Sequence, residues 1–357
     1  MSFITDHLQE LEAFSTMSNE VGLRADYVQG GGGNTSVKTD DGRMAIKASG
    51  FRLSDVTPGN AYALIDYLPL AAFYQDTDPA DLEDIEKAGS EKAKELTLTL
   101  PELPVLRPSV EAGFHSILDR FVLHSHSVYC NLAACAGECD EILAAAFEGA
   151  PYSYTCVPYT DPGAKLTFII RDACRKTREE TGKEPAVIVM KNHGLVATAG
   201  TAQEALEIHE DANKRIAAWF GVAFEEYPKP AVTASGTDFI SATPYLKDVL
   251  ATGKYTADAL LSNPLYPDQM VFFTGTLLPA GEALADNTCV IDPGTGLITY
   301  RTKESQAQVL EETFCAVCFI LEQLEKKGLH VQYMGQDARS FIANWESEKY
   351  RKTLSQK

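Results

Sequence analysis

Two histidines, His124 and His126, occur two residues apart in residues 121–128 (FVLHSHSV), which we predict to form a β-strand. Side chains at alternate positions of a strand point to one face of the sheet, so both imidazoles can reach one metal ion. His193 ends a second predicted strand at 186–190 and precedes Gly194, which lets the backbone come close to a ligand. Taken alone, the first pair could also be two polar strand residues. With His193, the pattern is typical of a catalytic zinc site with an open position.

Glu111 is the candidate carboxylate of this site. It follows Pro108 and Ser109, and we predict that Ser109 caps a helix whose first turn contains Glu111. A carboxylate in that place can simply complement the helix dipole. It can instead lie beside the metal, as a ligand and as a general base. The spacing alone leaves both interpretations open.

A run of four glycines, Gly30 to Gly33, precedes Asn34 and a predicted hairpin of two short strands. The run fits neither the G-x-x-x-x-G-K-S/T pattern nor the G-x-G-x-x-G pattern, so a nucleotide-binding loop is not expected. Successive backbone N–H groups of such a run can bind an anion. Further donors nearby are Asn34, Ser36, Lys38 and Ser49. A flexible turn is the alternative.

The chain divides at residues 223–236, which contain two prolines and have no clean periodicity. We therefore predict a catalytic domain at 1–222, a linker at 223–236 and a small α+β unit of unknown role at 237–357. In that last unit, strands are predicted at 270–273, 289–292 and 296–300, and helices at 304–327 and 336–348. Before the linker, a long helix is predicted at about 202–220.

Charge and cysteine content exclude several classes of protein. Lys and Arg number 31 against 50 Asp and Glu, a net charge of −19, which argues against binding nucleic acid or anionic lipid. The N-terminus does not resemble a secretory signal, and no membrane span is expected. The eight cysteines are therefore expected to be reduced thiols, and a cytoplasmic location is expected. Cys315 and Cys318 are predicted to belong to a core helix, with a redox or zinc role as the alternative.

Five short motifs, taken in order, resemble the class II aldolase/adducin family. They are Gly33-Asn34-Thr35-Ser36, Lys47-Ala48-Ser49-Gly50, Pro108-Ser109-Val110-Glu111, His124-Ser125-His126-Ser127 and Asn192-His193-Gly194-Leu195. The resemblance covers about residues 5–222. The glycine-rich first motif, with Val157-Pro158-Tyr159 and Gly163, looks closest to the aldolase half of bifunctional rhamnulose-phosphate aldolase/alcohol dehydrogenases. We do not expect the dehydrogenase half in residues 237–357, which are too few for it and lack a dinucleotide-binding fingerprint.

The resemblance implies an α/β fold, with a three-layer α/β/α domain around a mostly antiparallel central sheet and a small α+β C-terminal unit. It also implies a homotetramer with a zinc site at each subunit interface. Zn²⁺ would be held by His124, His126 and His193, and Glu111 would be both the base and a displaceable ligand. The substrate phosphate would be bound by Gly33, Asn34, Ser49, Gly50 and Ser109.

The reaction that this resemblance implies is cleavage of a ketose 1-phosphate, of the rhamnulose- or fuculose-phosphate type, into dihydroxyacetone phosphate and an aldehyde. Zinc would stabilise the enediolate as a Lewis acid. Other reactions on a small phosphorylated sugar or sugar acid remain open, namely decarboxylation, dehydration and 4-epimerisation. The family's epimerases carry Asp where Glu111 stands, which disfavours the last of these. A non-catalytic adducin-like module is a further alternative, although such modules lack the metal histidines.

Two positions depart from the family's pattern. Val110 stands where the phospho-sugar aldolases usually have a second phosphate-binding serine. The family's proton-donating tyrosine, which comes from a neighbouring subunit, has no position that we can match, and Tyr152 and Tyr154 are candidates by location alone. Two further histidines, His115 and His209, are expected to be structural, with contact between His115 and Glu111 as an alternative.

Overall fold

A computed structural model of the chain describes residues 2–344. Its main feature is an eight-stranded sheet with the strand order β4-β3-β2-β1-β5-β8-β7-β6. The strands are β1 (Asn34–Lys38), β2 (Arg43–Lys47), β3 (Tyr62–Asp66), β4 (Thr97–Leu98), β5 (Phe121–Ser125), β6 (Ser153–Val157), β7 (Pro185–Met190) and β8 (Gly194–Ala199). Only β6 and β7 pair in parallel; the other neighbours are antiparallel. The expected mostly antiparallel sheet is confirmed.

Helices cover both faces of this sheet, and the strand sequences show why. Side chains alternate between faces, so Leu123 belongs to the core under one helical layer while its neighbour Val122 belongs to the core under the other. The helices of this part are α1 (Phe3–Asp6), α2 (Leu8–Gly22), α3 (Tyr67–Asp76), α4 (Ile85–Glu95), α5 (Ala112–Ile117), α6 (Val128–Ala134), α7 (Cys139–Ala146), α8 (Ala164–Thr181) and α9 (Ala202–Phe220). The expected three-layer α/β/α architecture is therefore confirmed.

Helix α9 illustrates how local sequence sets these boundaries. Thr201 caps its N-terminus by accepting a hydrogen bond from the backbone N–H of Glu204 at 3.2 Å. Gly221 ends it in the left-handed conformation, with φ at 72°. The helix spans the residues that the sequence predicts. None of the helices in the described part of the chain is both long and apolar enough to cross a bilayer.

The C-terminal part forms a second, four-stranded antiparallel sheet with the order β11-β12-β10-β9. Its strands are β9 (Val232–Ser235), β10 (Asp238–Ser241), β11 (Thr288–Ile291) and β12 (Ile298–Arg301). Its helices are α10 (Pro244–Ala251), α11 (Ala257–Ser262), α12 (Pro267–Phe273), α13 (Glu304–Lys326) and α14 (Gln336–Asn344). The expected small α+β unit is confirmed. Residues 345–348 of the last predicted helix lie outside the described residues.

Two sequence interpretations of this unit have different outcomes. Cys315 and Cys318 are buried in the middle of α13, as the core-helix interpretation expected. The strand predicted at 270–273 is wrong, because these residues end helix α12. Pro267 occupies its first turn, a position that proline favours, and Asp268 follows it. A short apolar run such as Val271-Phe272-Phe273 fits a buried helix as well as a buried strand.

The two parts of the chain share one hydrophobic core. Leu132 and Val128 of α6 belong to the same buried cluster as Phe314 and Val317 of α13. Strand β9 lies entirely within residues 223–236, which we predict to be a linker. The division of the chain into domains stays a prediction.

Candidate metal centre

The three predicted histidines meet at one end of the large sheet. His124 is the fourth residue of β5, His126 directly follows that strand, and His193 lies in the turn between β7 and β8. Because β5 and β8 pair antiparallel, with Ser125 opposite Leu195, the turn is brought against the end of β5. The three imidazoles each place a ring nitrogen within 4.8 Å of the others. All three side chains are buried.

Tight backbone packing makes this meeting possible. Asn192 has a positive φ of 53° in the turn before His193. A Cβ at Gly194 would lie 3.2 Å from the Cα of His126 and closer still to the carbonyl oxygen of Ser125. We expected Gly194 to give a ligand access to the backbone. In the structure it instead allows the close approach of two strands, which places His193 beside His126.

Hydrogen bonds set which ring nitrogen each histidine offers. The Nδ1 of His124 donates to the carbonyl oxygen of Leu195 at 3.0 Å, and the Nδ1 of His126 donates to Asp268 Oδ2 at 2.5 Å. Each of these bonds leaves Nε2 with its lone pair directed into the site, the tautomer that a metal requires. The two Nε2 atoms lie 3.2 Å apart. Two nitrogens bound to one tetrahedral zinc ion at its usual bond length lie about 3.3 Å apart. The donor set therefore fits a divalent metal ion.

The carboxylate of Glu111 lies against the same nitrogens. Its Oε1 is 3.6 Å from His193 Nε2, and its Oε2 is 3.8 Å from His124 Nε2. Helix α5 begins after Glu111, at Ala112, so the predicted cap at Ser109 is wrong. The bridge between Ala48 and Pro108 keeps the backbone extended to this point and delays the helix. Glu111 therefore faces the histidines from the N-cap position of α5.

A chain of buried hydrogen bonds holds this carboxylate. Asn34 Nδ2 donates to Glu111 Oε2 and, at 3.1 Å, to Ser109 Oγ. His115 donates from Nε2 to Asn34 Oδ1 and accepts from Ser36 Oγ at Nδ1, at 2.7 Å. Burial lowers the pKa of His115 well below its usual value, in keeping with the neutral ring that this pattern needs. The His115 ring thus reaches the Glu111 carboxylate through Asn34, while the backbone N–H of His115 donates to the carbonyl oxygen of Glu111 at 3.3 Å.

The residues predicted to bind phosphate line one pocket with two of the three histidines. Its lining includes Gly33, Asn34, Ser49, Gly50 and Ser109, together with Glu111, His126 and His193. Gly33 and Gly50 have positive φ values of 65° and 88°, which favour glycine. The structure thus brings together, around one cavity, residues that are far apart in the sequence.

The lysine in the pocket is not the one that the sequence suggested. Lys38, an expected anion donor, points its Nζ at the carbonyl oxygens of His115, Leu118 and Asp119, at 2.6, 2.8 and 2.6 Å. It lies at the far end of β1 from Asn34, about 13 Å along the strand. Lys47 lines the pocket instead, with its Nζ 2.8 Å from the carbonyl oxygen of Phe51. The motif that contains Lys47 also contains Ser49 and Gly50, which was the signal available in the sequence.

The remaining candidates lie elsewhere in the fold. Tyr152 donates to Asp211 at 2.7 Å, and Tyr152 and Tyr154 are not among the described residues that line the pocket. His209 is buried, bonds Ser125 Oγ through Nε2 at 2.7 Å, and has its pKa lowered by burial to about 3. That environment agrees with the structural role expected for His209.

These observations define an α/β protein in which three histidines that could hold a metal ion lie beside a carboxylate and a polar pocket, at one end of a mostly antiparallel sheet. The model of the family described as the class II aldolase and adducin N-terminal domain matches residues 14–219. The chain belongs to this family.

Several solved structures are similar to this chain. The N-terminal class II aldolase domain of a conserved protein from Thermoplasma acidophilum has a TM-score of 0.48 and 23% identity, over 59% of this chain and 93% of that one. A sugar-phosphate aldolase from Thermotoga maritima has a TM-score of 0.42 and 13% identity, over 60% of this chain and 95% of that one. An L-fuculose-1-phosphate aldolase from Thermus thermophilus has a TM-score of 0.34 and 16% identity, over 59% of this chain and 92% of that one. No curated protein sequence matches the chain.

Proposed function

We propose that this protein is a zinc-dependent aldolase that cleaves a ketose 1-phosphate into dihydroxyacetone phosphate and an aldehyde. One observation carries the proposal: a single pocket is lined by His126, His193 and Glu111 and also by Gly31, Gly33, Ser49 and Ser109. His124 lies against the other two histidines. A substrate with an anionic group next to a pair of metal-chelating oxygens suits such a pocket. We propose further that the ketose phosphate is of the rhamnulose- or fuculose-phosphate type. We also propose that the chain is related to the aldolase half of the bifunctional rhamnulose-phosphate aldolase/alcohol dehydrogenases.

The anion end of the pocket must be locally positive, because the chain as a whole carries a net charge of −19 and repels a phosphate at long range. Backbone N–H groups around Gly33 and Gly50, the hydroxyls of Ser49 and Ser109, and the ammonium of Lys47 supply donors there. Holding the phosphate at this end orients the reacting carbons at the other end.

At the metal end, His124, His126 and His193 would hold the ion, and Glu111 would complete its coordination until a substrate displaces it. A bound Zn²⁺ would act as a Lewis acid for the negative charge that develops on the substrate oxygens. Cleavage of the C3–C4 bond turns the C4 hydroxyl into the aldehyde and releases its proton, and C3 takes up one proton in return. Glu111, once protonated, would deliver that proton to C3, and its carboxylate would remove it in the reverse reaction. Asn34 fixes the carboxylate for that transfer through its hydrogen bond to Oε2.

We also propose that the protein is a cytoplasmic homotetramer and that residues 1–222 form its catalytic domain. Light scattering of the purified protein tests the tetramer, since it gives the mass of the assembly directly. A monomer with full activity would contradict it.

The reaction itself is tested by product detection. Zinc-loaded protein is incubated with a panel of ketose 1-phosphates, and release of dihydroxyacetone phosphate is coupled to oxidation of NADH. We expect release that requires zinc and is absent after chelation. Zinc-loaded protein that releases no product from any sugar in the panel would overturn the aldolase proposal. Sugar-acid phosphates would then test the decarboxylase and dehydratase alternatives.

Lys47→Met should weaken substrate binding without removing the metal. A hydrogen bond to a charged group contributes about 1.5–3 kcal/mol, so we expect KM for the sugar phosphate to rise about 10- to 100-fold at unchanged zinc content. Steady-state kinetics and metal analysis measure both quantities. Lys38→Met is the matched control, because it removes another buried lysine that donates to backbone carbonyls, outside the pocket. Its KM should equal that of the wild type. Equal KM values in the two variants would contradict the role of Lys47.

A further inference from the structure

A carboxylate of the C-terminal unit reaches the metal site. Asp268, in the first turn of α12, is fully buried and accepts a hydrogen bond from Nδ1 of His126 at 2.5 Å. We propose that Asp268 is a positioning residue of the metal centre, which holds His126 so that its Nε2 faces the ion. This inference rests on the proposed metal-dependent function, and it gives the C-terminal unit a part in it.

The chemistry of imidazole explains why such a partner matters. A neutral imidazole carries one proton and can place it on either nitrogen, so an unrestrained ring presents the wrong tautomer part of the time. A carboxylate that accepts from Nδ1 fixes the proton there, fixes the ring orientation and makes Nε2 a stronger donor to a metal. His124 has a neutral backbone carbonyl in the equivalent place. Asp268 thus brings a negative charge to the site that the His124 interaction lacks.

The packing around Asp268 keeps it in this position. A Cβ at Gly32 would lie 2.8 Å from Nδ1 of His126 and closer still to Asp268 Oδ2. Position 32 of the glycine loop (residues 29–33) must therefore lack a side chain to leave room for the hydrogen bond between His126 and Asp268. Tyr266, two residues before Asp268, donates to Gln29 Oε1 at 3.1 Å. Each contact ties the start of α12 to the glycine loop.

The same segment also supports the turn that carries His193. Asn192 Nδ2 donates to the carbonyl oxygen of Leu265 at 2.9 Å and to that of Gln332 at 2.7 Å. Pro267 lines the pocket together with His126 and His193. Residues 265–268 therefore contact three parts of the centre: the glycine loop, the end of β5 and the β7–β8 turn. This arrangement is what a segment that positions metal ligands requires.

Asp268→Asn tests the proposal, because it keeps the shape of the side chain and removes its charge. Loss of such a partner typically weakens metal binding 10- to 100-fold, and we expect this fall in zinc affinity, measured by competition with a chelator. The visible absorption spectrum of Co²⁺-substituted protein should also change, because it reports the ligand geometry. The control is Glu311→Gln, a buried carboxylate on α13 of the same unit that accepts from Ser241 at 2.7 Å, from Thr243 and from Tyr300. That variant should bind zinc and Co²⁺ as the wild type does.

Wild-type zinc affinity and an unaltered Co²⁺ spectrum in Asp268→Asn would overturn the proposal. If that variant does not fold, Asp268→Ser offers a smaller neutral oxygen, and a measurement on the wild type needs no variant. In zinc-loaded protein with ¹⁵N-labelled histidine, the ring assigned to His126 should be bonded to the metal through Nε2 and protonated at Nδ1. A His126 ring that is bonded to the metal through Nδ1 would also overturn it. All these readouts are taken without substrate. If the wild type binds zinc but releases no product, the aldolase proposal is refuted, and the effect of Asp268 on zinc binding can still be measured.

Discussion

Replacing Glu111 by Gln should lower the rate of dihydroxyacetone phosphate release about 10²- to 10⁴-fold while zinc stays bound. The amide has the same shape as the carboxylate, and its oxygen can still accept from Asn34 Nδ2, so the side chain should keep its place. It has lost the basicity that moves the proton at C3. The direct readout is exchange of solvent deuterium into dihydroxyacetone phosphate, which needs the base but no aldehyde. We expect this exchange to fall together with kcat.

The control for Glu111→Gln is a carboxylate with a purely structural task. Glu86 accepts from the backbone N–H groups of Ala164 and Lys165, both at 2.9 Å, at the start of α8. Glu86→Gln should lower thermal stability and leave exchange at the wild-type rate. Full activity in Glu111→Gln would remove Glu111 from the base role. Loss of zinc with the activity would assign Glu111 chiefly to metal binding.

His124→Ala should strip the metal and abolish the activity. His124 is fully buried, offers its Nε2 to the site and is one of three nitrogen donors, so its removal leaves two of them. The loss of zinc affinity should exceed the 10- to 100-fold expected for loss of an outer partner such as Asp268. Metal content measured by plasma emission after gel filtration should fall from one zinc per chain to near zero.

His209→Ala provides the comparison for this second variant. It also deletes a fully buried imidazole, which bonds Ser125 on the same strand, but this ring does not face the pocket. We expect His209→Ala to lower the melting temperature and to retain one zinc per chain. One zinc per chain in His124→Ala would mean that the metal site has been assigned to the wrong residues.

The sequence predicted those features of the site and fold that are set by residues close together in the chain. The two-residue spacing of His124 and His126 places both on one face because of the strand period, and the structure agrees. Helix α9 was predicted with its boundaries because Thr201 and Gly221 signal its ends directly. The fold class came from the order of five motifs in the resemblance, which the family match supports.

Other parts of the site depend on contacts that no local pattern encodes. Asp268 lies two residues before the apolar run 270–273, which we predicted to be a strand. Its partner His126 is far away in the sequence, so no local pattern links the two. Lys38 was named as an anion donor because it follows the glycine run closely in the sequence. Strand pairing decides which end of each strand lies at the pocket, and it places Lys47 there instead. Ser109 failed as a helix cap because the bridge at Pro108, a tertiary contact, keeps the chain extended.

The separation of these contacts along the chain has a consequence for folding. The centre joins Asn34 on β1, His124 on β5, His193 after β7 and Asp268 on α12. Closing such long loops costs entropy, so contacts of this kind form late. Zinc uptake during refolding should then lag behind the recovery of secondary structure. Once bound, the ion would stabilise the native state by about 4 kcal/mol at a free concentration of roughly 1,000 times Kd. That free energy would oppose undocking of the C-terminal unit as much as unfolding of the sheet.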